Sequence, residues 1–409
     1  MLQSNNNILY FFILGFIFLL PNITLAEKQK NKFWINTNKQ KSFSISDAKN
    51  KYLNNTIGFQ SKKTYNNIGS NISISQHNNK LIFDQSSIKF NNKNISIGFG
   101  KIDRNWSFSP NTSLILSTNA RPSDSFFFHI DNDQASENYY LSFLGPWSLE
   151  VFNSSLSTTT KIKNPMLLGM RGVFEPVKDL KFEIVKTSQW GGDGKPKDFS
   201  SFIAAMAANT NEDKHSHINQ MAGYGISYKI NKKNISSRIY TQLIGEDEAG
   251  SFPSCFIYLI GNELEIPRNS VFSKFGFEYI DTRVDTSTNN YCGPNTAYNN
   301  GIYSYTNYGK TLGAPIDTES KSIGVWAEAF ILKKLHVNFS INKLIINNEN
   351  WSNHRLDQRR KDGWLAGIKT SWRLNTINIS GGMYYQDFSL KKNQYNEGLS
   401  FNLNTEYNF

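Results

Sequence analysis

Beyond its first two dozen residues, the 409-residue chain has no run of about 18 apolar residues, which excludes a bundle of membrane-spanning helices. Cysteine is nearly absent. Cys255 and Cys292 are too few for a disulfide-built scaffold; they either bridge in an oxidising compartment or stand as two buried thiols. No stretch resembles a nucleic-acid module, so no nucleic-acid partner is expected. A mean hydropathy of −0.47 would suit a soluble protein. It suits a membrane β-barrel equally well, because barrel strands alternate lipid-facing and lumen-facing side chains.

The apolar stretch that does exist, residues 8–20 (ILYFFILGFIFLL), is too short to span a bilayer comfortably. It is followed by Pro21 and then by Thr24, Leu25 and Ala26. This reads as a secretory signal over residues 1–26 with cleavage after Ala26; the absence of Lys and Arg from MLQSNNN leaves an uncleaved anchor as the second reading. Positive charge is concentrated next to it. Residues 27–101 hold 13 Lys, no Arg and 3 acids, whereas residues 102–409 hold 31 basic and 30 acidic residues. Such a segment either meets an acidic partner, an anionic glycan or lipid headgroup, or is a solvated Lys- and Asn-rich tail. Residues 27–70 show no apolar face at helical spacing and are expected to be a polar, loosely structured periplasmic segment.

From residue 71 to 409 the pattern has period two, which places alternate side chains on opposite faces of a sheet. In the last strand, Leu399, Phe401, Leu403, Thr405, Tyr407 and Phe409 share one face, and Ser400, Asn402, Asn404, Glu406 and Asn408 the other. Comparable segments lie near 71–78, 83–90, 94–102, 112–119, 124–131, 138–144, 147–156, 165–175, 180–189, 220–230, 235–245, 253–264, 270–282, 321–332, 335–347, 363–374 and 376–387. The fold class is therefore all-β: a closed antiparallel transmembrane β-barrel of about 18 strands, with both ends on one side. Connection lengths agree, since short periplasmic turns (Lys333-Lys334, Asn375, residues 231–234, 176–179, 145–146 and 120–122) alternate with long extracellular loops (189–219, 283–320 and 348–362). Aromatic residues at strand ends, such as Trp364 and Trp372, suit membrane interfaces. The terminal aromatic strand resembles the recognition signal of bacterial outer-membrane barrels, which makes the barrel-assembly machinery an expected partner during insertion.

The unusual clusters fall at the loop end: Arg104 and Trp106; Trp190, Asp193 and Lys195 in QWGGDGKPKDF; Glu246, Asp247 and Glu248 in GEDEAG; and Tyr303 among the loop tyrosines. Aromatic faces beside carboxylates and amides suit a sugar, whose C–H face packs on a ring while its hydroxyls exchange hydrogen bonds. At these residues the sequence resembles the Wzi family of capsule-assembly proteins. The matching stretches are SLILSTNARP (113–122), GPWSLEVF (145–152), SQWGGDGKPKDFSSF (188–202), NQMAGYGISYKI (219–230), YTQLIGEDEAGSFPS (240–254), YIDTR (279–283) and NNGIYSYTNYG (299–309). The resemblance implies a barrel of about 18 strands and a non-catalytic role in holding capsular polysaccharide on the surface. Two departures stand out: residues 27–70 lack the pattern of a periplasmic helical region, and the Trp- and Gly-rich turn of the family is reduced to DRNWSFSPN, which keeps only Trp106.

Two other classes compete. Glu246 and Glu248 share a strand face, as a glycoside hydrolase with two carboxylates would require, and His215 and His217 beside Glu212 and Asp213 are the remaining cluster with catalytic or metal-binding character. A channel is the second competitor, because 18 strands enclose a lumen wide enough for water unless loops 189–219 and 283–320 fold inward, with Phe199, Phe202, Ile203 and Met206 on a short helix over the mouth. The reading adopted is a monomeric outer-membrane lectin-like barrel, without cofactor or metal, bedded in lipid and lipopolysaccharide. It binds capsular or related polysaccharide through Arg104, Trp106, Trp190, Asp193, Lys195, Glu246, Asp247, Glu248 and Tyr303. Their mixed charges do not choose between an acidic and a neutral sugar.

Overall fold

The computed structural model describes residues 28–45, 55–157, 162–207, 216–249, 252–267, 271–284, 292–331 and 334–409; the expected signal segment lies outside them. Eighteen strands form the wall: Lys28–Asn38, Thr56–Tyr65, Ile68–His77, Ser87–Asn92, Ile95–Lys101, Asp124–Asn132, Trp147–Ser155, Met166–Val177, Leu180–Trp190, Asn219–Lys232, Ile235–Ala249, Phe252–Pro267, Val271–Asp281, Lys321–Ile331, Leu335–Ile346, Lys361–Leu374, Ile377–Gln386 and Gly398–Asn408. Each pairs antiparallel with its neighbours. Closure is made by Lys28–Asn38, which pairs with Thr56–Tyr65 on one side and Gly398–Asn408 on the other, so the wall has no open edge. The outer surface is the apolar half of the alternation: Leu399, Phe401, Leu403, Tyr407 and Phe409 are exposed while Ser400 points inward and is buried.

The expected strand number holds, but two of its members change. Residues 112–119 and 138–144 are not wall strands, and residues 28–38 and 56–65, within the segment expected to be loosely structured, are. The reasons are local. Ser113 Oγ accepts the Ile115 and Leu116 amides and Ser117 Oγ accepts the Asn119 amide, so hydroxyls compete with a strand ladder, and Leu114 and Ile115 bury their apolar groups inside the barrel rather than against lipid. Residues 138–144 coil similarly through Asn138 Oδ1 to the Tyr140 amide and Ser142 Oγ to the Tyr139 carbonyl. The two N-terminal strands escape notice because their lipid face is short: Phe33 opposite Phe59 and Ile35 opposite Ile57, set among Lys and Asn.

One end of the wall has turns of two or three residues, among them 66–67, 93–94, 178–179 and 375–376; the single long connection there is 133–146. Asn66, Asp179 and Asn375 take positive φ of 49°, 69° and 46°, as the tightest hairpins require and Asn and Asp tolerate. The long connections gather at the opposite end. Residues 120–122, expected in a short periplasmic turn, lie in the loop 102–123 at this end.

Candidate functional site at the loop end

The loops do not stand clear of the barrel. Residues 102–123 and 292–320 enter it and join inward wall residues such as Val185, Ile244, Ile257 and Leu344 in a buried apolar core built on Leu114, Ile115, Tyr298, Tyr305, Leu312 and Ile316. Wall polar groups pin the plug. Gln242 Nε2 donates to the Trp106 carbonyl at 2.6 Å while its Oε1 accepts the Leu114 amide at 2.8 Å; Arg238 Nη1 donates to the Phe108 carbonyl at 2.7 Å; and Tyr240 and Ser109 both donate to Glu278. The two loops also hold each other. Tyr298 OH donates to the Leu114 carbonyl and Tyr305 OH to that of Ile115, both at 2.7 Å, with the two rings stacked 5.9 Å apart. These bonds satisfy loop backbone that would otherwise be buried without partners.

Most of the sequence-predicted site residues turn out to build this packing. Glu150 holds Arg104 Nε at 2.7 Å and Trp106 Nε1 at 3.1 Å; the Arg104 guanidinium lies 4.0 Å over Phe152, and Trp106 is 1% exposed. Neither offers a face to a sugar. Tyr303 is buried, donating from its OH to the Gly191 carbonyl at 2.8 Å, and burial pushes its pKa up to about 12. Glu246 is buried too and accepts the Tyr298 amide at 3.1 Å, so it serves the plug rather than a carboxylate pair open to substrate. The side chains of Asp247 and Glu248 lie outside the described residues, as does His215. Trp190 faces outward from the wall. It packs under the helix Phe199–Ala207 with Leu168, Ala204 and Ala205, and its Nε1 donates to Asn153 Oδ1 at 3.3 Å. The helix expected over the mouth therefore lies on the barrel exterior, with Phe199, Ile203 and Met206 exposed, because its small residues Ser201, Ala204 and Ala205 allow close approach to the wall. Asp193 remains exposed and Lys195 half-buried, on the loop beside Gly192.

Two covalent or charged clasps stiffen the loop layer. Cys255 on a wall strand and Cys292 in the loop are joined in a disulfide, with Cα atoms 5.4 Å apart. Arg355 makes a bidentate pair with the buried Asp317 and donates to Asn299 Oδ1 at 2.6 Å, tying loop 347–360 to loop 292–320. Burial raises the Asp317 pKa, but the Arg355 guanidinium and the Thr318 amide outweigh it and hold the carboxyl below the usual range. Beside it, His354 is fully buried: Nε2 lies 2.9 Å from the Thr318 carbonyl and Nδ1 accepts the Leu356 amide. Those partners fit a neutral ring, and desolvation lowers its pKa accordingly.

What stays open above the plug is a cleft of about 500 Å³ that sequence reasoning missed. Its cations, Lys41, Lys80, Arg121, Lys310 and Lys392, come from separate connections brought together only by barrel closure. Arg121 is fixed by two bonds to Asp84, at 2.8 and 2.9 Å, and lies 4.3 Å over the Tyr308 ring. Lys310 Nζ donates to Tyr395 OH at 2.8 Å. The one sequence signal for this site is the lysine-rich 27–101 segment, which supplies Lys41 and Lys80.

Comparison with known proteins fits this architecture. A family model described as capsule assembly protein Wzi matches residues 27–398. A 55.8 kDa protein from the cps region of Klebsiella pneumoniae is 31% identical over 179 residues, which is 43% of this chain and only 35% of that relative's length. Among solved structures, Wzi of Escherichia coli, an outer-membrane protein involved in group 1 capsule assembly and described as a carbohydrate-binding β-barrel, superimposes with a TM-score of 0.79 at 19% identity, over 94% of this chain and 85% of that one. The Pseudomonas aeruginosa outer-membrane protein OprD follows with a TM-score of 0.52 at 9% identity over 94% of each chain, a likeness of fold alone.

Proposed function

The chain belongs to the Wzi capsule assembly family, and from that membership and its own loop end we propose that this outer-membrane β-barrel is a non-catalytic lectin that attaches capsular or related polysaccharide to the cell surface. The observation that carries the reading is the combination of a lumen filled by its own loops with a concave, solvent-open cleft above the filling. A channel needs a continuous wet path. Here the wall's inward polar groups are spent on the loops, Gln242 and Arg238 on their backbone and Glu278 on the Ser109 hydroxyl, and the loop half of the lumen is an apolar core. A binding protein needs a rigid surface facing outward, which the plug provides. Glu246, the carboxylate that a hydrolase reading would use first, is buried against the Tyr298 amide.

Deletion of the gene tests the reading. Total polysaccharide is expected to stay normal while its distribution shifts from cell pellet to medium. A fall in total, or an unchanged distribution, would refute attachment. Planar-bilayer recordings separate the channel: stable nanosiemens openings from the purified protein would overturn the plugged lumen.

A further inference from the structure

We infer that the cleft above the plug is the polysaccharide-binding site and that it selects an anionic sugar, one carrying carboxylate or phosphate. This rests on the lectin reading and deepens it. Among the described residues, the five cations that line the cleft are accompanied by no lining carboxylate. Arg121 is already partly neutralised by Asp84, but among the described residues Lys41 and Lys80 have no acidic partner, Lys310 Nζ meets only Tyr395, through its hydroxyl and its ring, and Lys392 Nζ donates to the Ser352 carbonyl. Like charges gathered in one concavity raise its potential, and low-dielectric walls focus it outward. The arrangement costs self-repulsion when empty, and an anion relieves it.

The geometry separates two kinds of cation. Arg121 and Lys310 are held in place, one by the Asp84 carboxylate and the Tyr308 ring, the other by the Tyr395 hydroxyl, with Lys310 Nζ 4.8 Å from the Tyr395 ring centroid. They form a fixed floor. Lys41, on the segment after the first wall strand, and Lys80, on the short strand Lys80–Ile82, come from two separate connections and are not tied down in this way. Each tyrosine ring in this cleft already carries a cation, Arg121 over Tyr308 and Lys310 over Tyr395, which shifts recognition here toward charge and charge-assisted hydrogen bonds.

The test uses the full-length protein in detergent and the extracellular polysaccharide extracted from the source cells, in three forms: native, with carboxylates reduced to alcohols, and dephosphorylated. Expected is binding to the native form that weakens as salt rises and falls about tenfold or more in one of the two neutralised forms, which identifies the anion. Lys41→Gln with Lys80→Gln removes no recorded structural bond and is expected to weaken native binding about tenfold. Lys178→Gln with Lys232→Gln, exposed at the turn end, changes net charge equally and should leave binding intact. Equal binding of all three forms, or equal loss from both variant pairs, overturns the inference while leaving a lectin. Failure of the wild type to bind any form overturns the lectin reading itself, and this inference with it.

Discussion

Trp106→Ala distinguishes a plug residue from a sugar platform. Trp106 is 1% exposed, lies 5.3 Å from Phe152 in an edge-on arrangement, donates to Glu150 and offers its carbonyl to Gln242. Both rings fill space left by Gly169, where an added Cβ would collide with Phe152 and approach Trp106 to 2.8 Å. Truncating such a side chain costs roughly 3–5 kcal/mol in lost burial and cavity formation, and leaving one Glu150 oxygen unpartnered adds on the order of 1 kcal/mol. The barrel wall keeps its ladders, so the loss falls on local opening of residues 106–117. At 1.4 kcal/mol per decade, about 4 kcal/mol raises exchange of amides with solvent roughly a thousandfold. Hydrogen exchange reads it at Trp106, Leu114 and Ser117, whose amides bond Leu116 O, Gln242 Oε1 and Leu312 O. Trp106→Phe, which keeps the ring and loses the Nε1 bond, should give only about a fivefold rise, near 1 kcal/mol. Unchanged protection in the alanine variant combined with lost polysaccharide retention would refute the reasoning and restore Trp106 as an exposed platform.

Trp190→Ala is expected to release the helix Phe199–Ala207 from the outer wall, at a cost of about 3 kcal/mol, with polysaccharide retention unchanged; proteolysis within the helix reads the first, and reduced retention with an intact helix would contradict the placement of Trp190. Replacing Cys255 and Cys292 by Ser should weaken anchorage of loop 292–320 by about 2–4 kcal/mol, seen as faster exchange in that loop with unaltered wall strands; equal protection in both proteins would show the clasp to be redundant. Acid should loosen loop 347–360. The folded-state pKa of His354 lies below its ordinary value, so its contribution is complete above about pH 6.5 and is lost as pH falls toward the lowered folded value, because the unfolded loop takes up the proton first. Exchange at the Leu356 amide, corrected for intrinsic rate, should rise between pH 7 and 5, and a flat profile would exclude His354 as the cause.

The wall was legible wherever burial and lipid exposure impose a strict alternation. Gly398–Asn408 shows it over its whole length and Lys361–Leu374 over most of its length, and the sorting of connections by length follows from two-residue turns at one end. Legibility failed where an apolar run met protein instead of lipid: Leu114 and Ile115 have strand-like neighbours, yet their partners are Tyr298 and Tyr305, nearly 200 residues away in sequence. The burial of Trp106, Glu246 and Tyr303 was illegible for a related reason. Aromatic and acidic residues attract attention as ligand groups, but a loop that must be buried in a barrel needs the same residues to satisfy its own backbone, as Glu246 does for Tyr298 and Tyr303 for Gly191. The cleft's lysines carry no motif; each is an ordinary surface residue until closure sets them together.

Plug and cleft are one construction. Arg121 follows the buried segment Leu114–Leu116, and its carbonyl accepts Asn307 Nδ2 at 2.7 Å, while Tyr308 and Lys310 lie between the buried Tyr305 and Leu312. The cleft floor is thus pre-organised by the core beneath it, and a ligand need not supply the entropy of ordering loops. If the cleft takes an anionic polymer as inferred, the repeating chain presents the same unit many times, and weak individual contacts to many copies of a rigid receptor would hold it through effective concentration. The division of labour has a consequence for sequence change: the side chains of Lys41 and Lys80 can vary with the charge of the polysaccharide at little cost to the barrel, whereas a change at Trp106, Tyr298 or Tyr305 disturbs plug and cleft together. Gain of affinity for a carboxyl-reduced polysaccharide should therefore arise from substitutions at Lys41 and Lys80 in a barrel whose plug amides remain protected; gain of affinity through plug substitutions alone would show that the cleft is shaped independently of its core.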